Sequence, residues 1–276
     1  MSEHKASSRA RSLRDSMPSL LLASLLAGGA LLQPAALGAE PVAVRFREGM
    51  VHGFLVLRTL EGKMLAQGDL TQVARGNRVT SRLVFHFLDG SLQDETVVYT
   101  QHRTFQLVRD HLVQKGPAFP QPMDVKVDGT TGQTTIHYTD HGQQKVAAER
   151  LDLPPDVANG LILTLLKNLP RNAQQLNLAM VAATPKPRLV KLAITPAGTD
   201  PFSIGGSTRH ATHYVVKVDL GGVAGLVAPL VGKQPPDSHV WIMRGEAPAF
   251  VKSEGPLYPG GPSWRIELVS PVWPKH

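Results

Sequence analysis

Strand-like runs recur along this chain roughly every 8 to 12 residues, most of them bounded by glycine, proline, asparagine or aspartate, and that rhythm leaves few folds open. The clearest pair is residues 78–88 (RVTSRLVFHFL) and 92–102 (LQDETVVYTQH), joined through Asp89-Gly90. That dipeptide supplies the positive φ a tight hairpin turn needs. Runs at 42–46, 51–60 and 63–74 precede it, and runs at 103–114, 123–127, 134–139 and 145–151 follow. Beyond residue 170 come 174–183 and 188–195, divided by Pro185 and Pro187, then a short 202–204, then 210–220, 239–244, 249–252 and 264–269. About a dozen strands so spaced predict a mainly β protein. The expected architecture is one large curved antiparallel sheet, an open barrel or half-barrel.

One segment breaks the rhythm. Residues 153–170 read LPPDVANGLILTLLKNLP. Val157, Ala158, Leu161, Ile162, Leu165, Leu166 and Leu169 recur at spacings of three and four, which places them on one face of a helix. Asn159, Gly160, Thr164, Lys167 and Asn168 fall mainly opposite. Pro154 and Pro155 suit a first turn, and Pro170 ends the hydrogen-bond ladder. The spacing predicts a single helix at about 155–169, its leucine stripe buried on the concave side of the sheet. Core filling is the plain role for that stripe, and the sharper one makes Leu161 and Leu165 the wall of an apolar ligand cavity.

The first residues serve another purpose. Lys5, Arg9, Arg11 and Arg14 precede an apolar run over 20–32, followed by Gln33-Pro34 and the small residues Ala35, Ala36, Gly38 and Ala39. That is the order of a secretory signal peptide, with cleavage expected after Gly38 or Ala39. The expected organisation is a signal peptide over 1–39 and a single β-rich domain over 40–276, exported to the periplasm or beyond the cell. No membrane-spanning segment is expected after cleavage. The leader holds four of the 29 basic residues and two of the 22 acidic ones, so the remainder carries 25 against 20, a net +5. Those charges are scattered, with no basic run and little aromatic interleaving, which argues against nucleic acid as a partner. With no cysteine, the chain has no disulfide, thiolate metal site or cysteine-linked lipid.

Motifs with chemistry are weak. His210 and His213 are three apart and would face opposite sides of a strand, and His137 with His141 lacks a third ligand nearby. A hydrolase would use Ser207 with His210 or His213 as base and Asp219 as the orienting acid, but the nucleophile elbow is missing. Asp94 and Glu95 are neighbours on a strand and point apart, so they form no acid/base pair with each other. The apolar stretch 221–232 (GGVAGLVAPLVG) reads as a cap on the sheet's open end. Trp241, on an expected strand, is the candidate for stacking on a ligand. No metal or cofactor is expected.

The leader, the strand series before LPPDVANGLILTLLKNLP, and the ending HVWIMRGEAPAFVKSEG followed by SWRIEL resemble the DUF3108 family of exported bacterial β proteins. That resemblance implies an architecture similar to periplasmic lipoprotein carriers, in which a curved antiparallel sheet wraps a helix and encloses an apolar groove. The leading expectation is therefore a non-enzymatic envelope protein that binds a lipid, another apolar or amphipathic ligand, or an envelope protein partner between sheet and helix. Leu161, Leu165 and Trp241 are its candidate binding residues. A hydrolase or metal-dependent enzyme is one alternative, and a structural envelope component is the other.

Overall fold

A computed structural model describes residues 41–204, 206–219 and 235–269. The signal peptide expected at 1–39, the apolar stretch 221–232 and Trp273 lie outside the described residues. Eight strands follow one another as a meander: β1 (Val51–Thr59), β2 (Met64–Arg75), β3 (Arg78–Phe87), β4 (Leu92–Gln101), β5 (Phe105–Lys115), β6 (Met123–Asp128), β7 (Gln133–Asp140) and β8 (Gln143–Arg150). After a single helix, α1 (Ile162–Asn168), a second meander runs through β9 (Leu176–Ala182), β10 (Arg188–Ile204), β11 (Ser207–Asp219), β12 (Ser238–Met243), β13 (Ala249–Pro256) and β14 (Ser263–Val269). Pairing of β1 with β14, with Leu57 opposite Ile266, joins the two into one antiparallel sheet of 14 strands. Its edges are β8 and β9, which do not pair, so the sheet is open.

The sheet is rolled. Ile136 of β7 and Leu178 of β9 share one buried cluster with the helix leucines. In a flat sheet their twelve strand spacings would separate them by roughly 58 Å. The inner face is set by alternation: Val79, Val97, Tyr99, Val125, Val127, Ile194, Val240 and Ile242 all enter that cluster from alternate positions. Toward β1 and β14 a second inner cluster forms from Leu55, Leu57, Phe85, Phe87, Phe119 and Trp264. Its rings meet edge to face, with Phe87 and Phe119 centroids 5.3 Å apart.

The helix has seven residues rather than the expected four turns. Its anticipated first half is spent on the β9 edge. Val157 makes a parallel bridge to Ala179, and Ala158 N–H donates to the Ala179 carbonyl at 2.8 Å. Asn159 then mimics a strand: its Nδ2 donates to the Val181 carbonyl and its Oδ1 accepts from the Val181 N–H, at 3.1 and 2.8 Å. Gly160 turns the chain with φ of +64°, and helix begins only beyond Leu161.

The expected polar face of the helix is not a solvent face. Asn168 is fully buried, where its Oδ1 accepts from the Arg45 and Phe46 N–H groups at 2.9 and 2.7 Å. Residues 42–46 consequently form a single bridge, Ala43 with Thr104, in place of the expected strand, because their donors are committed to Asn168 and to the Arg103 carbonyl. Lys167 pairs with Glu48, and Arg244 donates to the Leu169 carbonyl at 2.7 Å, closing the helix's C-terminal end. The remaining difference is β10, which runs on where a break was expected near residue 195. A register shift between Pro196 and Gly198 absorbs Pro196, Pro201 pairs in register with His210, and β10 and β11 extend as one long hairpin.

Candidate functional site

Two constellations have chemistry beyond packing, one on each face of the sheet. On the inner face, Val97 of β4 pairs with Asp110 of β5, and Glu95 pairs with Leu112, so Glu95 and Asp110 are diagonal neighbours on one face. Asp110 is 4% exposed and lies beside Asn159. Glu95 is only partly buried as a residue, but its carboxyl reaches inward to the Asn159-Gly160 turn, where a Cβ on Gly160 would stand 3.3 Å from its Oε1. Burial pushes the Glu95 carboxyl up to about 7. Burial and then the Glu95 charge push Asp110 well above the carboxylate range. The pair therefore holds protons at pH values where surface carboxylates have lost theirs. Asp110 Oδ1 and Thr134 Oγ1 are buried with no hydrogen-bond partner among the described residues, and they lie on one cross-strand row through Val127.

On the outer face stands Trp241. Val240 and Ile242 enter the inner cluster, so the residue between them points the other way. It is nonetheless only 7% exposed, because three neighbours enclose it. Register places His213 of β11 and Lys252 of β13 on either side. The His213 ring stacks at 4.3 Å and 4° from parallel, and Lys252 Nζ lies 4.0 Å from the Trp241 ring centroid as a cation–π contact. Trp241 Nε1 donates to Asp200 Oδ2 at 2.7 Å, which fastens the long β10–β11 hairpin to the sheet. His213 Nε2 also meets His239 Nδ1 at 2.9 Å, one ring donating and the other accepting. Burial, then the neighbouring His239, holds the His213 ring below the usual histidine range.

A cleft of about 470 Å³ opens beside this cluster. Phe202, Ala211, Trp241, Met243 and Val251 supply apolar lining, and Asp200, Ser203, Lys252 and Glu267 supply polar groups. That mixture suits a ligand with an apolar body and a polar end.

The structure does not bring the three expected binding residues together. Leu161 and Leu165 are 1% and 4% exposed inside the main inner cluster, with Leu166 beside them, whereas Trp241 lies across the sheet on the outer face. Both faces of the Trp241 ring are already covered, so only its edge is left to a ligand. The hydrolase residues are dispersed as well. Ser207 begins β11 opposite Ile204, and His213 and Asp219 follow at six-residue steps, each step roughly 20 Å along a strand. Asp94 and Glu95 point apart as expected: Asp94 takes Arg82 on the outer face at 2.6 Å. The pair that does form, Glu95 with Asp110, carried a signal in the chain. Glu95 shares alternation with Val97 and Tyr99, and Asp110 with Leu112, so both are acids at inward positions.

Among the described residues no group of three or more metal-ligating side chains gathers, and no helix is long and apolar enough to cross a membrane. The class is thus an open, rolled antiparallel β protein with one short helix inside and a cleft outside. No protein-family profile matches the chain, and no curated protein does. Among solved structures it is similar to a β-barrel-like protein of the domain of unknown function DUF1849 from Brucella abortus. That match has 9% identity and a TM-score of 0.43, over 84% of this chain and 98% of the other. It is also similar to the hypothetical lipoprotein YmcC from Escherichia coli K12, at 11% identity and a TM-score of 0.34, over 80% of this chain and 85% of the other. Neither carries the DUF3108 name.

Proposed function

We propose that this chain is an exported envelope protein that binds an apolar or amphipathic ligand, a lipid being the leading candidate, in the cleft beside Trp241, without catalysing a reaction on it. The observation that carries the reading is the cleft itself. Its volume of about 470 Å³ falls within the roughly 300 to 1,000 Å³ typical of small-molecule sites, and its lining combines apolar walls with a few polar groups. Export rests on the basic, apolar and small-residue order of the first 39 residues. The DUF3108 resemblance and its carrier-like architecture point the same way. Leu161 and Leu165 act here as core, and the ligand is placed on the other side of the sheet.

The test uses Trp241 as reporter. With Trp264→Phe and Trp273→Phe, Trp241 is the remaining tryptophan of the three in the chain. Lysophospholipid or fatty acid with a brominated acyl chain should quench its emission saturably, and the unbrominated lipid should compete. An emission that neither lipid changes would remove the cleft as a lipid site. A structural envelope component would give that unchanged emission together with a stable partner on crosslinking in cells.

A further inference from the structure

The two edges of the open sheet are treated differently. The β9 edge is capped by Val157, Ala158 and Asn159, which take its backbone groups. The β8 edge has no strand beside it among the described residues. It carries charges of the kind that guard an exposed edge against unrelated strands, Lys145, Glu149 and Arg150, but no bulge and no covering segment among the described residues. Its eight residues, QQKVAAER, contain no proline, pair with β7 without a register shift, and are mostly exposed, Val146 at 59%. Such an edge is a template for another strand.

From these features we infer that the β8 edge is an interface between two copies of this chain, which pair antiparallel across a two-fold axis at Ala147. Hydrogen-bond parity and charge select this register. The hairpin between β7 and β8 turns through His141 and Gly142, with φ of 48° and 77°, and closes on the Asp140–Gln143 pair. A two-residue turn of this kind closes on a hydrogen-bonded pair, so Lys145, Ala147 and Glu149 also spend their backbone groups on β7. Leu151 N–H donating to the Gly132 carbonyl at 3.0 Å continues the same alternation. Gln144, Val146, Ala148 and Arg150 therefore point their N–H and C=O groups outward. Only registers that match these outward residues with one another can form a ladder.

Of those registers, the one centred on Ala147 sets Lys145 opposite the partner's Glu149, and Glu149 opposite the partner's Lys145. It also places exposed Val146 against the partner's Ala148. Centring on Lys145 would oppose Lys145 to itself, and centring on Glu149 would do the same to Glu149; centring on Val146 or Ala148 keeps the parity but leaves Lys145 and Glu149 with no opposite charge across the axis. Cross-strand pairs of like charge destabilise. The interface is independent of the Trp241 cleft, which lies at β10–β14.

The chain has no cysteine, so one introduced thiol reports the register directly. At the two-fold axis Ala147 faces its own copy in a non-hydrogen-bonded pair, with Cα atoms at roughly the 4.5 to 5.5 Å a disulfide spans. Ala147→Cys, in the protein purified from the cell envelope, should form a disulfide dimer rapidly under mild oxidation, and Gln144→Cys, although the more exposed of the two, should not. In sedimentation equilibrium, Lys145→Glu should weaken the dimer about tenfold, and Lys145→Glu with Glu149→Lys should restore it. Equal crosslinking of both thiol variants, or a monomer at every concentration, would overturn the proposal. So would an edge that is protected from hydrogen exchange in that monomer, since another segment of the chain would then cover it.

Discussion

Leu165→Asp is expected to leave this protein unfolded at neutral pH. Leu165 is 4% exposed in a cluster that draws on β3–β7, β9–β12 and the helix, so the sheet stays rolled only while this position is filled by an apolar side chain. Removing the leucine methyls alone costs roughly 2 to 5 kcal/mol, and an unpaired carboxylate in the same space adds several more. Together they approach the whole stability of an ordinary domain, about 5 to 15 kcal/mol. Leu165→Ala serves as the milder comparison: it should fold, with stability lowered by about 3 kcal/mol in urea unfolding. If Leu165→Asp kept native circular dichroism and lost only ligand, the helix would be a cavity wall rather than core.

The second large effect is a stability that falls as pH rises through the weakly acid range. The Glu95 carboxyl is pushed from 4.5 up to about 7 by burial, so between those values the unfolded chain releases a proton that the folded chain keeps. The stabilisation is complete below about pH 4.5 and is lost as pH rises through about 7. At about 1.4 kcal/mol per pH unit, the loss across this window is about 3 kcal/mol. Asp110 is shifted in the same direction by burial and by Glu95, and so adds to the slope. His213 acts with the opposite sign, since its depressed value favours the neutral ring and loses stability as pH falls. Comparison with Glu95→Gln cancels that contribution. Urea unfolding from pH 4 to 8 should show the two proteins converging at low pH and the variant more stable by about 3 kcal/mol near pH 7. Parallel profiles would mean that Glu95 ionises freely.

The strands were legible because each one advertises itself locally. Alternation in residues 78–88 and the Asp89-Gly90 turn define β3 and its hairpin with β4 without reference to anything distant. The presence of a helix was legible for the same reason, but its length was not. Val157 to Asn159 have helical spacing in sequence, yet their backbone and side-chain groups cap β9, and that competition depends on Ala179 and Val181, about twenty residues away. The outer cleft was less legible still. Trp241 is flanked by His213 and Lys252 only because three strands share a particular register, and a shift of one residue would turn the ring into the core. Asn168 shows the limit of polar patterning: it looks like a solvent-facing helix residue, and its worth lies in two backbone donors more than 120 positions away.

The most direct measurement is mass spectrometry of what organic extraction releases from the protein purified natively from its envelope, beside an Ala249→Trp variant. Ala249 lines the cleft at the start of β13, and an indole there would fill much of the space. Ligand binding in the cleft predicts a near-stoichiometric lipid or other amphipathic molecule from the native protein and little or none from the variant, with the fold unchanged. Clean extracts from repeated native preparations would contradict ligand binding altogether. Equal yields from both proteins would contradict the cleft as its place.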